Sequence, residues 1–312
     1  MKTISHYIES MKLYHGEFQQ KEMCGIPTGF KELDSILLGL RESQLVVVSG
    51  VSGVGRTSFL LSILFNICRN KEIPAAFFTL ESKKIDIISH LFNIACRKNL
   101  REIWEEHGSE WATIYGEELD FSNDPLYLED SIETFDELSR EIENLAQNEG
   151  VKCFCIDTIQ SLRLLDKSHM KRNEGDLHYM VYALKRLAKK LKVSIVLSCI
   201  QIDPIVLGYQ DFQTCRENWP GTSGDDNACC EVADVFLQIT RPEFFEVYED
   251  ENGNDLRGVV FLNIRKNRNG KIGRIKLSFH ENVGLVTNLG ELSSEDFSPS
   301  KRYCFNDEEA PF

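Results

Sequence analysis

The sequence predicts an α/β fold, a mostly parallel twisted sheet flanked by helices. Two observations predict it. Apolar runs of strand length alternate with helical patterns between Leu45 and Ser198, and three more strand patterns close the chain after Ala233. The first of these runs leads straight into a glycine-spaced loop, Gly50-Val-Ser-Gly-Val-Gly55, with a helical pattern behind it. No internal repeat and no break in composition divides residues 25–290, so one domain is expected there.

Taken in order, residues 3–20 set Ile4, Tyr7, Ile8, Met11, Tyr14 and Phe18 at spacings of three and four, the stripe of an amphipathic helix. Such a helix docks either on its own core or on a neighbouring subunit. The segment Cys24-Gly-Ile-Pro-Thr-Gly29 ends it, and Phe30 to Gly39 reads as a short helix stopped by glycine. Strand 45–49 and a helix through about Arg69 follow. Then come strand 75–80, ending in Glu81, and helix 85–98. Leu126 to Leu128 is a short strand, and Thr134-Phe-Asp-Glu137 has the spacing of a capping box opening a helix to about Ala146. Strand 151–156 ends in Asp157, helix 176–192 carries a basic face, and strand 193–198 follows. Residues 203–231 show no clear periodicity and read as a long functional loop. Late strands are expected at 235–239, 259–264 and 274–279, with a turn at Asn252-Gly253. The tail of residues 291–312 is polar and predicts disorder.

Charge and cysteine usage narrow the classes. A net charge of −14 removes any whole-surface attraction to nucleic acid or to an anionic membrane, so a DNA contact must be local. The 10 cysteines are scattered without a Cys-x-x-Cys pair, as expected of reduced thiols rather than of zinc ligands or a disulfide framework. Neither a signal-peptide core nor a membrane-spanning run is found, so a cytoplasmic location is expected.

The loop carries the first chemistry. Gly50, four residues, Gly55, a cation and a hydroxyl form a phosphate-binding pattern whose backbone amides cradle phosphates. Gly50, Ser52, Gly53, Val54, Gly55, Arg56, Thr57 and Ser58 are its candidate nucleotide contacts. Thr57 offers a hydroxyl to Mg²⁺, and Asp157, at a strand end, would hold the ion's water shell. Glu81, at another strand end, can orient or deprotonate water attacking ATP. Arg56 stands where the pattern calls for lysine, and a wider planar fork puts the charge elsewhere. Binding should survive this change better than turnover does. Residues 265–274 hold five cations in ten positions, Arg265, Lys266, Arg268, Lys271 and Arg274; they form either a solvated hairpin or a finger reaching a neighbour's nucleotide.

Several motifs fall in one order: Thr28-Gly-Phe-x-x-Leu-Asp34, the phosphate loop, Phe77-Phe-Thr-Leu-Glu81, Ile156-Asp-Thr-Ile-Gln160, Leu184-Lys-Arg-Leu-Ala188, Ala233-Asp-Val235 and Lys266-Asn-Arg-Asn-Gly270. Together they resemble the RecA-like motor domain of DnaB-family replicative helicases, over about residues 1–290. The resemblance implies a RecA-like P-loop NTPase core at 25–290 and a hexameric homo-oligomer with ATP between subunits. It also implies single-stranded DNA in the central channel, and a linker helix, residues 1–24, docked on the adjacent subunit. By position it makes Glu81 the catalytic base, Asp157 the acid on the Mg²⁺ side, and Lys266 with Arg268 the trans-acting finger. Ser198-Cys-Ile-Gln201 stands where the family has a Ser-Gln pair, which makes Gln201 a shifted γ-phosphate sensor.

This chain departs from the family pattern in two further ways, its N-terminal region and its mixed channel loops. The family's N-terminal helical domain, which engages primase, has no counterpart in the sequence. Arg163, Lys167, Lys171 and Arg172 supply cations to a first channel loop. The second loop sets Asp203, Asp211, Glu217, Asp225 and Asp226 against Arg216 alone, which weakens phosphate neutralisation. Two functions follow. One is an ATP-dependent DNA helicase slowed by Arg56. The other is a ring-forming nucleotide-binding module that no longer unwinds and serves replication proteins as an accessory or scaffold.

Overall fold

The computed structural model describes residues 24–114, 124–164, 175–201, 224–292 and 294–297, with Ile4 and Gly116 as isolated positions. Apart from Ile4, the amphipathic stripe of residues 3–20 lies outside the described residues.

Nine strands form one sheet in the order β3-β2-β4-β5-β1-β6-β7-β8-β9. These are β1 (Gln44–Gly50), β2 (Ala75–Thr79), β3 (Leu126–Glu129), β4 (Cys153–Asp157), β5 (Ser194–Ile200), β6 (Val235–Thr240), β7 (Val259–Asn267), β8 (Gly273–His280) and β9 (Leu285–Asn288). From β3 to β6 every pairing is parallel, and from β6 onward every pairing is antiparallel. The central parallel strands are apolar on both faces, which is why β1, β2 and β4 read as continuous runs rather than alternations.

Helices cover both faces. On one side α1 (Lys31–Leu37), α2 (Arg56–Lys71) and α3 (Lys84–Cys96) pack with the antiparallel strands around Phe59, Leu60 and Leu64. On the other, α6 (Phe135–Asn148), α7 (Asp176–Leu191) and α8 (Gly224–Val232) bury Leu138, Leu184 and Cys229. The motif at Thr28–Asp34 is a structural clasp. Asp34 accepts bonds from the Thr28 and Gly29 amides and the Thr28 hydroxyl, and Phe30 stacks on Phe59 at 5.1 Å. The capping box forms as its spacing predicts: Thr134 accepts from the Glu137 amide at 3.3 Å and Glu137 reaches back to the Thr134 amide at 3.1 Å.

Five elements differ from expectation. The stretch read as one aperiodic loop at 203–231 ends in α8, whose inward positions are a cysteine and a valine rather than large apolar residues. Between β2 and β3 the chain adds α4 (Leu100–His107) and α5 (Trp111–Ile114). These close a small separate cluster of Phe92, Cys96, Ile103 and Trp111. Strand β9 was not expected at all. The start of the tail is ordered: Ser294–Phe297 form a 3-10 turn, and Phe297 lies 4.5 Å from the His280 ring. Among the described residues no helix is long and apolar enough to cross a membrane.

Candidate functional site

The phosphate loop leaves the sheet at the carboxyl end of β1, where ligands of parallel sheets collect. A Cβ on Gly50 would lie 2.7 Å from Ile239 Cγ2 and 2.9 Å from Val54 Cγ1, so only glycine fits this exit. Gly55 sits at φ +105° in the N-cap position of α2 and offers the helix no side-chain cap. The first amides of a 16-residue helix therefore face the loop with the positive end of its dipole. Val54 is fully buried and pins the loop, whereas Ser52 and Gly53 are exposed. Ser58 is buried in the first turn of α2, its carbonyl accepting from Ser62 Oγ at 2.7 Å.

Thr57 and Asp157 meet as expected. The Thr57 hydroxyl donates to Asp157 Oδ2 at 2.6 Å, and Thr158 Oγ1 donates to the other carboxylate oxygen at 3.0 Å. Two hard oxygen donors thus converge beside the loop, a donor set that suits Mg²⁺. Glu81 lies two residues beyond Thr79, the register partner of Asp157, so adjacent strands bring the two carboxylates to one end of the sheet. Ser161 Oγ donates to Glu81 Oε1 at 3.0 Å. Arg56 is only 8% exposed, and its Nη1 donates to Ser198 Oγ on β5 at 3.0 Å. The substituted cation is thereby anchored to a strand two residues before the end of β5.

Gln201 follows β5, and its amide nitrogen donates to Gly50 O at 2.9 Å, which sets it against the root of the loop. Its side-chain oxygen accepts from Gln238 Nε2 at 3.1 Å.

Lys266 and Arg268 lie at the other end of the sheet. Strand β7 runs antiparallel to β6, and Asn267 pairs with Val235, the first residue of β6. Neither cation is brought to the phosphate loop of its own chain. Lys266 Nζ donates to the carbonyls of Cys230 at 2.6 Å and Glu231 at 2.9 Å, in the last turn of α8. Burial, followed by the nearby Arg268 charge, holds its amine below the usual lysine range. Arg268 donates its amide to Asp234 O at 2.9 Å, and its Nε lies 3.8 Å from Asp234 Oδ1. Asp234 is itself buried, pairs with Lys185 and accepts from the Leu45 amide at 2.8 Å.

A family model described as "DnaB-like helicase C terminal domain" matches residues 25–288. The chain belongs to the DnaB-like family. Among curated relatives it is 28% identical over 283 residues to the replicative DNA helicase DnaB of Haemophilus influenzae, covering 86% of this chain and 56% of that protein. It is 26% identical over 274 residues to that of Geobacillus stearothermophilus, covering 86% and 57%. The chain thus spans little more than half the length of the curated relatives it matches. Its fold is that of a solved structure described as an ATPase domain, with a TM-score of 0.75, 21% identity and 90% of this chain covered. That match takes in 98% of the other chain. A second, described as a DnaB-like replicative helicase and its interactions with primase, has a TM-score of 0.72 at 20% identity, covering 90% of this chain and 66% of that one. The RecA-like class expected from the motifs is the fold of these DnaB-like ATPase domains.

Against this DnaB-like frame, the sequence reading missed an aromatic wall beside the loop. Phe279, on β8, would lie 3.2 Å from a Cβ on Gly55, and Phe244 would lie 3.2 Å from one on Gly53. The Arg241 guanidinium covers the Phe279 ring at 4.5 Å. No local pattern marks these residues, because Phe279 returns to the loop on an antiparallel strand and Phe244 on the 3-10 turn of Pro242–Phe245 that follows β6. Of the cations assigned to DNA, Arg163 is exposed and pairs with Glu133 at 3.3 Å. Lys167, Lys171 and Arg172 lie outside the described residues.

Proposed function

We propose that this chain is the ATP-hydrolysing motor of a DnaB-type DNA helicase, working as a hexameric ring on single-stranded DNA. The observation that carries it is the split of the charged groups between the two ends of the sheet. Thr57, Asp157 and Glu81 gather at the phosphate loop, whereas Lys266 and Arg268 stand at the far end, away from the loop of their own chain; in a ring they would serve a neighbouring subunit's nucleotide.

In this function the loop amides and the α2 N-terminus hold the ATP phosphates. Thr57 and Asp157 would hold Mg²⁺, which neutralises charge on the β- and γ-phosphate oxygens. Glu81 accepts a proton from the attacking water or orients it, with Ser161 steadying the carboxylate. Gln201 faces the γ-phosphate, and Phe279 with Phe244 flanks the base side of the loop. Lys266 and Arg268 of one subunit stabilise charge in the next subunit's site. The bond from Arg56 to Ser198 holds its charge toward the sheet, which lowers turnover more than affinity. Arg163, Lys167, Lys171 and Arg172 would face the DNA. The names of the curated relatives support the helicase assignment, and the primase named with the second solved structure supports replication proteins as partners.

The test is steady-state ATP hydrolysis with and without single-stranded DNA. Wild type should turn over and be stimulated by DNA, and Glu81→Gln should lose about a hundredfold or more. Arg56→Lys should raise kcat with little change in nucleotide affinity. Tight binding with no turnover in wild type, restored by Arg56→Lys, would instead identify a nucleotide-binding ring that serves as a scaffold.

A further inference from the structure

A polar thread crosses the largely apolar sheet, leading from the phosphate loop toward the finger. Gln201 Oε1 accepts from Gln238 Nε2 at 3.1 Å, and Gln238 Oε1 accepts from Arg265 Nε at 3.0 Å. Gln238 is 7% exposed in the middle of β6, on the face where its neighbour Phe236 is fully buried. An unpartnered amide there would be costly, and an apolar side chain would fill the position more cheaply. Between β1 and β6 the register sets Ser49 opposite Gln238, so a small side chain occupies the strand that the thread passes over.

The thread has a fixed direction. Arg265 can only donate, so it takes the Gln238 oxygen, and the Gln238 amide nitrogen is left to donate to Gln201. With its oxygen turned to Gln238, Gln201 would meet a ligand oxygen through its NH₂, the polarity a terminal phosphate requires. Arg265 is also where the ladder slips: Leu237 pairs with Ile264 and Phe236 with Lys266, so Arg265 is the inserted residue of a bulge. Bulges re-aim side chains and recur beside active sites. The next residue in the chain is Lys266.

We infer that Gln238 and Arg265 are positioning residues that couple the γ-phosphate end of one subunit's site to the finger which that subunit presents to its neighbour. This deepens the function proposed above and rests on it. A terminal phosphate held by Gln201 tightens the thread, draws Arg265 toward β6 and sets the hairpin that carries Lys266 and Arg268. Loss of that phosphate slackens the thread. Coupling of this kind is reciprocal, so the state of the finger also feeds back on the preference for ATP over ADP.

The test uses the full chain with Gln238→Leu, which cuts the thread while filling the space. Gln238→Glu is its companion, since it keeps the shape and the bond to Arg265 but cannot donate to Gln201. The first readout is the ratio of ADP to ATP dissociation constants, measured with Mg²⁺ by calorimetry. Both variants should lose about tenfold in preference for ATP with ADP affinity unchanged. A purely packing role predicts that Gln238→Leu, which fills the space, keeps the wild-type ratio. The second readout is ATP turnover in rings doped with Glu81→Gln subunits. Wild-type rings should lose activity faster than the doped fraction, and Gln238→Leu rings in proportion to it. A wild-type nucleotide ratio in both variants would overturn the inference. A wild-type chain that neither assembles nor hydrolyses would overturn the motor function, and the nucleotide ratio would still judge the thread.

Discussion

At the carboxyl ends of the parallel strands the functional groups are tied to their own domain. Arg56 is buried against Ser198, Thr57 is bonded to Asp157, and Glu81 to Ser161. At the opposite end Lys266 leans on helix carbonyls, and the Arg268 side chain is 52% exposed, held mainly through its backbone. The first arrangement suits a site that must be preorganised before its substrate arrives, because fixed dipoles cost no reorganisation during reaction. The second suits groups that complete a site elsewhere, since a fully bonded arginine would have to break contacts to act in trans. One sheet thus holds a closely bonded set of groups at one end and, in the proposed function, an outward-facing contribution to a neighbour at the other.

The sharpest way to break this comparison is Arg268→Ala, which should lower kcat by about a thousandfold while nucleotide affinity stays within a fewfold. Mixing Arg268→Ala with Glu81→Gln subunits should restore measurable turnover, because each supplies what the other lacks; a mixture as dead as its components would mean that the finger does not act between subunits. Asp234→Ala comes next. It leaves the half-buried Lys185 without its carboxylate, releases the Leu45 amide and Arg268, and should cost about 2 kcal/mol in denaturant unfolding. A stability close to wild type would show that the finger end is held by other contacts. Phe279→Leu should raise the nucleotide Kd about tenfold by removing the aromatic face beside Gly55, with little effect on assembly. Thr134→Ala lies away from both ends. Losing the capping box should cost about 1 kcal/mol and leave turnover unchanged.

Much of this was legible in the sequence, for local reasons. Central strands such as Leu45–Val48 and Cys153–Ile156 are buried on both faces, so burial writes itself as an unbroken apolar run. Glycine spacing, the capping box and the acids at strand ends are likewise short-range patterns. What escaped depends on long-range approach. Phe279 meets Gly55, Ser198 meets Arg56, and Arg265 meets Gln238 only after the sheet has formed. Helix α8 escaped because its buried positions include Cys229, a small side chain in a segment of Gly, Asp and Asn. Helix α4 escaped because Ile103 is its one buried residue.

The placement of the loop and the finger at opposite ends of one sheet also constrains how copies can join. A contact that brings one copy's hairpin to another's loop is head to tail, with different surfaces meeting. Two copies joined this way make one complete site and leave two unmatched halves. An open stack always has one site fewer than it has members, and only closure on itself removes the deficit. Turnover per subunit should therefore climb with concentration and level off once closed assemblies dominate.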